Sequence, residues 1–211
     1  MLFRSTVIDS LLDNCDFACR HMEKKNHSYN LSCCVKVLVP FDETEFWTHF
    51  LRTRAADVIY GGPTNVLSRY LKLKNYDYIV RLTSDCPNVP PMVINKAVFT
   101  AIHQEMDYLT NAWGEYRTAI DGHDVEIISA KAMQWLEDHA KSDYDLEHVT
   151  PAIRNYGSEL RKGVLINKED MSMIKTCIDT PDEYCAAVRR FESSTNKRYN
   201  AIERGINVFE Y

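Results

Sequence analysis

Two hydrophobic periods alternate along the chain. Leu2, Phe3, Val7, Ile8, Leu11 and Leu12 recur at helical spacing and predict a helix, ending at Asp13-Asn14 or running on to Met22. Glu23 to Asn30 is polar and reads as a loop. Cys33 to Val39 predicts a strand stopped by Pro40. Thr44 to Arg52 predicts a helix with Phe46, Trp47 and Phe50 on one side. Val58 to Tyr60 reads as a short strand entering the sharp Gly61-Gly62-Pro63 turn, and Asn65 to Leu73 as a helix capped by Asn65 or Thr64. Tyr78 to Thr83 is an apolar run broken by Ser84-Asp85-Cys86, and Pro87, Pro90 and Pro91 prevent its resumption. It predicts a buried strand ending in a carboxylate.

The second half repeats the alternation. Pro91 to Gln104 predicts a helix that its prolines start. Tyr108 to Asn111 reads as a strand, Trp113 to His123 as a loop, Asp124 to Ile128 as a strand and Ala130 to His139 as a helix. Asp143 to Tyr156 holds a helical stretch around Pro151. Val164 to Asn167 and Lys175 to Asp179 read as strands, Pro181 to Phe191 as a helix, and Arg198 to Tyr211 as a further helix and tail. Strands alternating with helices predict an α/β layered fold with a mostly parallel sheet.

Composition narrows the class. With 211 residues, 45% of them hydrophobic and 26% charged, the chain fits one large globular domain or a domain with an appendage. A net charge of −5 does not indicate a broad nucleic-acid-binding face. No apolar run reaches the roughly 18 residues that a membrane span needs, and the N-terminus lacks a secretory cleavage signature. A cytoplasmic location follows as the expectation. The seven cysteines, Cys15, Cys19, Cys33, Cys34, Cys86, Cys177 and Cys185, read as free thiols in a reducing compartment. Without paired CxxC spacing, Cys15, Cys19, His21 and His27 make a poor zinc set.

The candidate chemistry centres on Asp85. Ligands of open α/β sheets sit off the carboxyl ends of strands, and a carboxylate there holds Mg²⁺ against nucleotide phosphates. Its alternative role is a turn cap. Asp179, in CIDTPDEY, also sits where a strand stops and could share the ion; its alternative is helix capping, for which D-T-P-D-E is a good signature. Asp121, Asp124 and Glu126 form a second cluster beside Gly122. Asp124 and Glu126 face the same side of a strand, suited to sugar hydroxyls or a metal, or else mark a charged edge strand. Glu147, His148 and Arg154 form a third, either a carboxylate- or phosphate-binding group or a solvated helix face. Arg69 lies one helical turn beyond Asn65, so both point toward the Gly61-Gly62 turn, placed for a nucleobase or ribose or simply on the surface.

In order, VIYGGPTNVLSRY, YIVRLTSDCPNVPPMVI, DYLTN, DGHDVEIISAKAMQWL, LEHVTPAIRNY and TCIDTPDEY resemble the cytidylyltransferase family, in its spore-coat polysaccharide branch, which is related to acylneuraminate and 3-deoxy-manno-octulosonate cytidylyltransferases. The resemblance covers Val58 to Val188 well and Met1 to Asp57 loosely. It implies a Rossmann-like nucleotide-diphospho-sugar transferase fold, with a mixed, mostly parallel sheet and helices on both faces. It implies transfer of CMP from CTP to an acidic sugar or related acceptor, with release of pyrophosphate, in surface-polysaccharide biosynthesis. Carried over by position, Asp85 and Asp179 hold Mg²⁺, Gly61, Asn65 and Arg69 lie by the nucleotide, and Asp121, Asp124, Glu126, Glu147 and His148 face the sugar. Relatives of this type often form homodimers, and Asp107 to Glu126 is the expected contact.

One departure stands out. Family members open with a strand and a loop of the form Q-A-R-x-G-S-x-R-L-P-G-K, which wraps the triphosphate. This sequence has no Arg-x-Gly-Ser or Pro-Gly-Lys, and Met1-Leu2-Phe3 matches the helix after that loop. The expectation is residues 1–192 as an N-terminally incomplete domain with an opened sheet, residues 193–211 as a helix or tail joined at Ser193 to Asn196, and weak or absent CTP turnover. The alternatives are an inactive nucleotide- or sugar-binding homologue, or a glycosyltransferase of related fold. The latter would use a D-x-D, whose letters occur at Asp143-Tyr144-Asp145, ahead of a helix.

Overall fold

The computed structural model describes residues 2–25, 31–51, 57–190 and 193. Helix α1 (Leu2–Lys25) is continuous; Asp13-Asn14 does not end it, because neither residue removes a backbone donor as proline would. Its Leu11, Leu12, Ala18 and Met22 are buried. Strands β1 (Lys36–Pro40) and β2 (Asp57–Gly61) pair in parallel, Lys36 opposite Asp57 and Pro40 opposite Gly61. Helix α2 (Thr44–Phe50) lies between them in sequence, as a parallel pair requires a crossover. Trp47 on α2 buries against Val39, Leu51 and Leu12.

A second, four-stranded sheet holds β3 (Tyr78–Arg81), β4 (Tyr108–Thr110), β5 (Glu126–Ser129) and β6 (Lys162–Val164) in the order β3-β5-β4-β6. β5 is antiparallel to both neighbours and β4 is parallel to β6, so the sheet is mixed. Side chains alternate between its faces. Ile79, Tyr108 and Ile128 pack with α3 (Leu67–Tyr70, continued by a 3₁₀ turn to Leu73), α5 (Ala130–His139) and α7 (Pro151–Tyr156). Leu109 and Ile127 pack with α1 and α4 (Pro91–His103). The described strands thus form two sheets, and helices bridge them. α1 reaches Val39 of the first and the α4 cluster on the second, while Leu38 and Ile59 pack beside α3.

The strand expected at Cys33 to Val39 begins only at Lys36 and includes Pro40, and three later strand expectations change further. Asp124 and Val125 precede β5, because the Asn111 side chain takes over their pairing: its Oδ1 accepts from the Val125 amide at 2.9 Å and its Nδ2 donates to the His123 carbonyl at 2.7 Å. β6 begins and ends earlier than Val164 to Asn167, since the Asn167 amide turns away to Thr118 Oγ1. Lys175 to Asp179 forms only the bridge Lys175–Asp121; the Thr176, Cys177 and Ile178 amides bond to loop carbonyls instead of a strand. Residues 181–190 form helix α8. The joint from Ser193 to Asn196 beyond Ser193 itself, the helix at Arg198 to Tyr211, the ends of the Thr44–Arg52 and Pro181–Phe191 helices, and most of the Glu23–Asn30 loop with His27 lie outside the described residues. Among the described residues no helix is long and apolar enough to cross a membrane.

Asp107 locks the sheet to its surroundings. Oδ2 accepts from Lys131 Nζ at 2.7 Å and the Arg161 amide at 2.8 Å, and Oδ1 accepts from Ser129 Oγ at 3.3 Å. Burial works to raise its pKa, but Lys131 and these donors win and hold it below the usual carboxylate range. A depressed carboxylate contributes stability above its unfolded pKa and loses it as pH falls through the folded value. Urea unfolding below pH 4 is therefore expected to show a steeper acid loss in the parent than in Asp107→Asn; equal slopes would remove Asp107 from the acid response.

Candidate functional site

β3 and β4 run the same way, since both are antiparallel to β5. Their carboxyl ends and the start of β5 therefore share one edge, where a cavity of about 260 Å³ opens. Arg81 and Thr83 enter it from the end of β3 and Ala112 from beyond β4. Asp124 and Glu126 enter from the start of β5. Tyr144 and His148 come from α6 (Asp143–His148), Thr150 from the N-cap of α7, and Pro151 and Arg154 from α7 itself. The sheet edge supplies a rigid floor and α6–α7 the wall.

Glu126 is the hub of that floor. β5 is interior to the sheet, so the charged-edge-strand alternative does not hold. Only 6% of Glu126 is exposed. Its Oε2 pairs with Arg81 Nη1. Its Oε1 accepts from Thr150 Oγ1 at 2.6 Å and Tyr108 Oη at 2.5 Å, and Arg154 Nη1 lies 3.5 Å away. A buried carboxylate persists only when paired and hydrogen-bonded, and here both oxygens are. Burial acts to lower the Arg81 pKa, but Glu126 outweighs it and raises the group. Burial and then Glu126 push the Tyr108 phenol up, so it stays a donor.

Val149 joins α6 to α7 with φ 71° and ψ −63°, and the Thr150 amide donates to the His148 carbonyl at 2.9 Å. That is a γ-turn on a β-branched residue, a conformation that costs energy. Full burial of Val149 and the Thr150–Glu126 bond hold it there. The result is that His148 and Thr150 both line the cavity.

The segments that carry the two aspartates meet along the backbone. The Ile178 amide donates to the Asp85 carbonyl at 2.8 Å, which sets residue 179 beside residue 85. Asp85 is exposed, and no described residue hydrogen-bonds its carboxylate. Asp179 Oδ2 pairs with Lys175 Nζ at 2.7 Å and accepts from Cys177 Sγ at 3.3 Å, leaving Oδ1 without a described partner. The hydrogen bond from Lys175 chiefly holds the Asp179 carboxyl below its ordinary range. Two exposed carboxylates with free oxygen fit Mg²⁺, which takes few protein ligands and keeps sites for water and phosphate. The cap of α8 falls to Thr180 and Glu183. Thr180 Oγ1 accepts from the Glu183 amide at 3.3 Å, and Glu183 Oε2 accepts from the Asp179 and Thr180 amides at 2.8 and 2.9 Å.

The strand-like segment is positioned by the Asp121–Asp124 turn. The Asp121 carbonyl accepts from the Thr176 amide at 2.6 Å and the Cys177 amide at 3.2 Å. Arg117 Nη2 pairs with Asp121 at 2.9 Å and with Asp124 at 2.5 Å. Gly122 has φ +104°, and a Cβ there would lie 2.3 Å from the Cys177 nitrogen. Gly122→Ala is therefore expected to cost about 2–4 kcal/mol in urea unfolding, combining backbone strain with a backbone clash; a change under about 0.5 kcal/mol, ordinary for an unconstrained surface site, would contradict the close approach.

The other expected residues are placed differently. Arg69 is 7% exposed, and its Nη2 donates to the carbonyls of Gly62 at 2.7 Å and Pro63 at 3.1 Å. It folds the turn onto α3, and Gly61 leaves room for it: a Cβ there would lie 2.5 Å from Arg69 Cγ. Burial lowers the Arg69 pKa. Asn65 Oδ1 accepts from the Ser68 amide at 2.9 Å, as a cap. Glu147 is exposed and does not line the cavity. Asp145 accepts from its own cap Ser142, which leaves the D-x-D letters inside a short helix. Sequence reasoning missed Arg81, Tyr108 and Thr150. The available signal was Arg81 itself, a charge within an apolar strand that demands a buried partner.

All seven cysteines are free thiols. Among the described residues no group of three or more His, Cys, Asp or Glu is arranged to hold a metal.

No family model matches the chain. A 100-residue stretch is 30% identical to an uncharacterized protein of Methanocaldococcus jannaschii; it spans 46% of this chain and only 39% of that relative. The structure of a cytidylyltransferase from Leptospira borgpetersenii superposes with a TM-score of 0.70 at 22% identity, over 97% of this chain and 88% of that one. 4-Diphosphocytidyl-2C-methyl-D-erythritol synthase from Anaerococcus prevotii matches with a TM-score of 0.51 at 9% identity, over 86% of each chain. CMP:2-keto-3-deoxy-manno-octonic acid synthetase, solved with CTP, gives 0.51 at 8%, over 86% and 88%. At these identities the likeness shows the fold: a mixed α/β, Rossmann-like architecture shared with cytidylyltransferases.

Proposed function

We propose that this chain transfers CMP from CTP to a hydroxyl of a small sugar-like acceptor, with release of pyrophosphate. The observation that carries this reading is the shared sheet edge. Arg81 and Thr83 line the cavity, and two residues further along the same segment the Asp85 carbonyl meets the Ile178 amide, next in sequence to Asp179. An acceptor pocket and a carboxylate pair are thus neighbours off one strand, where in-line transfer needs an oriented nucleophile beside a neutralised phosphate. The cytidylyltransferase fold supports the choice of nucleotide.

Asp85 and Asp179 would hold Mg²⁺, which when bound neutralises phosphate charge and aligns the transferred group. The residues of the chain do the rest. Thr150, Arg154 and His148 orient the acceptor, and Asp124 and Glu126 hold the donors around it. The Gly61-Gly62 turn would meet the nucleotide through its backbone, because the Arg69 fork is already engaged by that turn. Surface-polysaccharide biosynthesis is the setting that the sequence resemblance implies.

Calorimetry with CTP, with and without Mg²⁺, tests the reading, together with pyrophosphate release over a panel of acceptors. Metal-dependent CTP binding with release supports transfer. Binding without release supports the inactive homologue, and preference for a finished nucleotide-sugar over CTP supports a glycosyltransferase.

A further inference from the structure

We infer that Cys19 and Cys33 form a redox-modification site, where a hydroperoxide converts two free thiols into a disulfide that ties α1 to the start of the first sheet. The fold brings the pair together. Cys19 lies on α1 and Cys33 just ahead of β1. The Cys33 amide donates to Glu23 Oε1 at 3.1 Å. Glu23 is one helical turn beyond Cys19, so both project from the same side of α1, and Cys33 lies over that side. Cys33 also packs against the core cluster that contains Ala18 and Met22 of α1. The Cys19 thiol accordingly donates to the Cys33 sulfur. Thiols already in hydrogen-bond contact close the remaining gap by side-chain rotation, which a pair held apart by its backbone cannot do.

The surroundings assign the roles. The hydrogen bond from Cys19 lowers the Cys33 pKa, against burial and Glu23. The same contact, and then burial, raises that of Cys19, with Cys15 and Asp16 adding to the rise. Cys33 therefore carries the thiolate, the nucleophilic form, and Cys19 the proton. Both are only partly covered, so a small peroxide reaches them. Burial pushes Cys15, Cys86 and Cys177 up to about 12, which makes them poor competitors. The Cys33 thiolate attacks one peroxide oxygen and the O–O bond breaks, leaving Cys33 as a sulfenic acid; the departing oxygen takes a proton from water. The Cys19 sulfur then attacks the Cys33 sulfur, and its proton leaves with the sulfenic hydroxyl as water. Two thiols and one hydroperoxide thus give one disulfide, one alcohol and one water. The next residue, Cys34, donates to Tyr76 Oη ahead of β3 at 3.3 Å, so the new bond acts where the two sheets adjoin.

The test exposes the reduced full chain, freed of reductant, to hydrogen peroxide in small excess. Linked tryptic peptides are mapped by mass spectrometry, and melting is followed in parallel. One tryptic peptide carries Cys15 with Cys19 and another Cys33 with Cys34. Their cross-link in the parent is the first reading, and the Cys15→Ser/Cys34→Ser double variant identifies the sulfurs. Cys19–Cys33 is expected to be the first disulfide formed. It closes a loop of about 15 residues, and the melting temperature is expected to rise by about 5–10 °C. Dithiothreitol should reverse both changes. Cys33→Ser should abolish the link and leave Cys19 reduced. Cys19→Ser should abolish it and leave Cys33 as a sulfenic acid that dimedone traps. A first bridge elsewhere, such as Cys33 to Cys34, overturns the inference, as does oxidation confined to Cys34 and Cys185. So does a Cys19–Cys33 bridge that leaves the melting temperature unchanged or lowers it.

Discussion

Glu126→Ala is expected to lower the unfolding free energy by about 3–5 kcal/mol, the usual cost of removing one partner from a buried ion pair. The loss is large because one side chain satisfies four groups. Arg81 would remain in the sheet floor with its charge unmatched, and Thr150, Tyr108 and Arg154 would lose a shared acceptor. The strained Val149 turn would also lose the bond that anchors its C-terminal side. At roughly 2–4 °C per kcal/mol for a chain of this size, the melting temperature should fall by about 10 °C. Glu126→Gln keeps the shape and one carbonyl acceptor and should lose less. Replacing Arg81 and Glu126 together with apolar residues of similar volume should recover part of the loss, because no buried charge is then stranded. A double variant no more stable than Glu126→Ala would show that the pair is not the source.

Asp85→Asn is expected to do the reverse, leaving stability alone and removing function. Asp85 is exposed with its carboxylate unbonded among the described residues, so its loss should change stability by under about 0.5 kcal/mol. If it neutralises the triphosphate through Mg²⁺, the variant should lose the metal dependence of CTP binding and on the order of 10²-fold or more in pyrophosphate release. Asp179→Asn should behave alike at the ligand level while also breaking the pair with Lys175. An Asp85→Asn chain that binds CTP with unchanged Mg²⁺ dependence would dismiss the aspartate pair as the metal site.

Much of the site was legible because its residues break the local pattern. Ser84-Asp85-Cys86 interrupts an apolar run before a cluster of prolines, and the strand stops ahead of it, at Arg81, short of the expected Thr83. Asp124 and Glu126 read as same-sided by period 2, and both do face the cavity, although Asp124 precedes the strand. Arg69 read as pointing toward the glycine turn, and it does, as the element that closes that turn. What was not legible is who pairs with whom. Glu126 meets Arg81 across 45 residues and Thr150 across 24, separations that no local spacing encodes. The strand expected at Lys175 to Asp179 failed for the same reason. Its apolar residues and flanking turn signals suit a strand, but the neighbour it meets is a loop.

From the sequence alone came the element types and their order: periodicity and proline placement are local, and they suffice to place helices, strands and the layered α/β class. It also exposed the carboxylates at segment ends as the residues to watch. Only the tertiary structure decided that the strands divide into two sheets, that β5 lies inside one of them, and that the Ile178 amide meets the Asp85 carbonyl. It alone showed that Arg81 and Arg154 converge on the one Glu126 carboxylate and that Arg117 holds Asp124. Strand order and charge pairing depend on contacts between residues far apart in the chain, and the energy of a buried charge is set by what surrounds it in space.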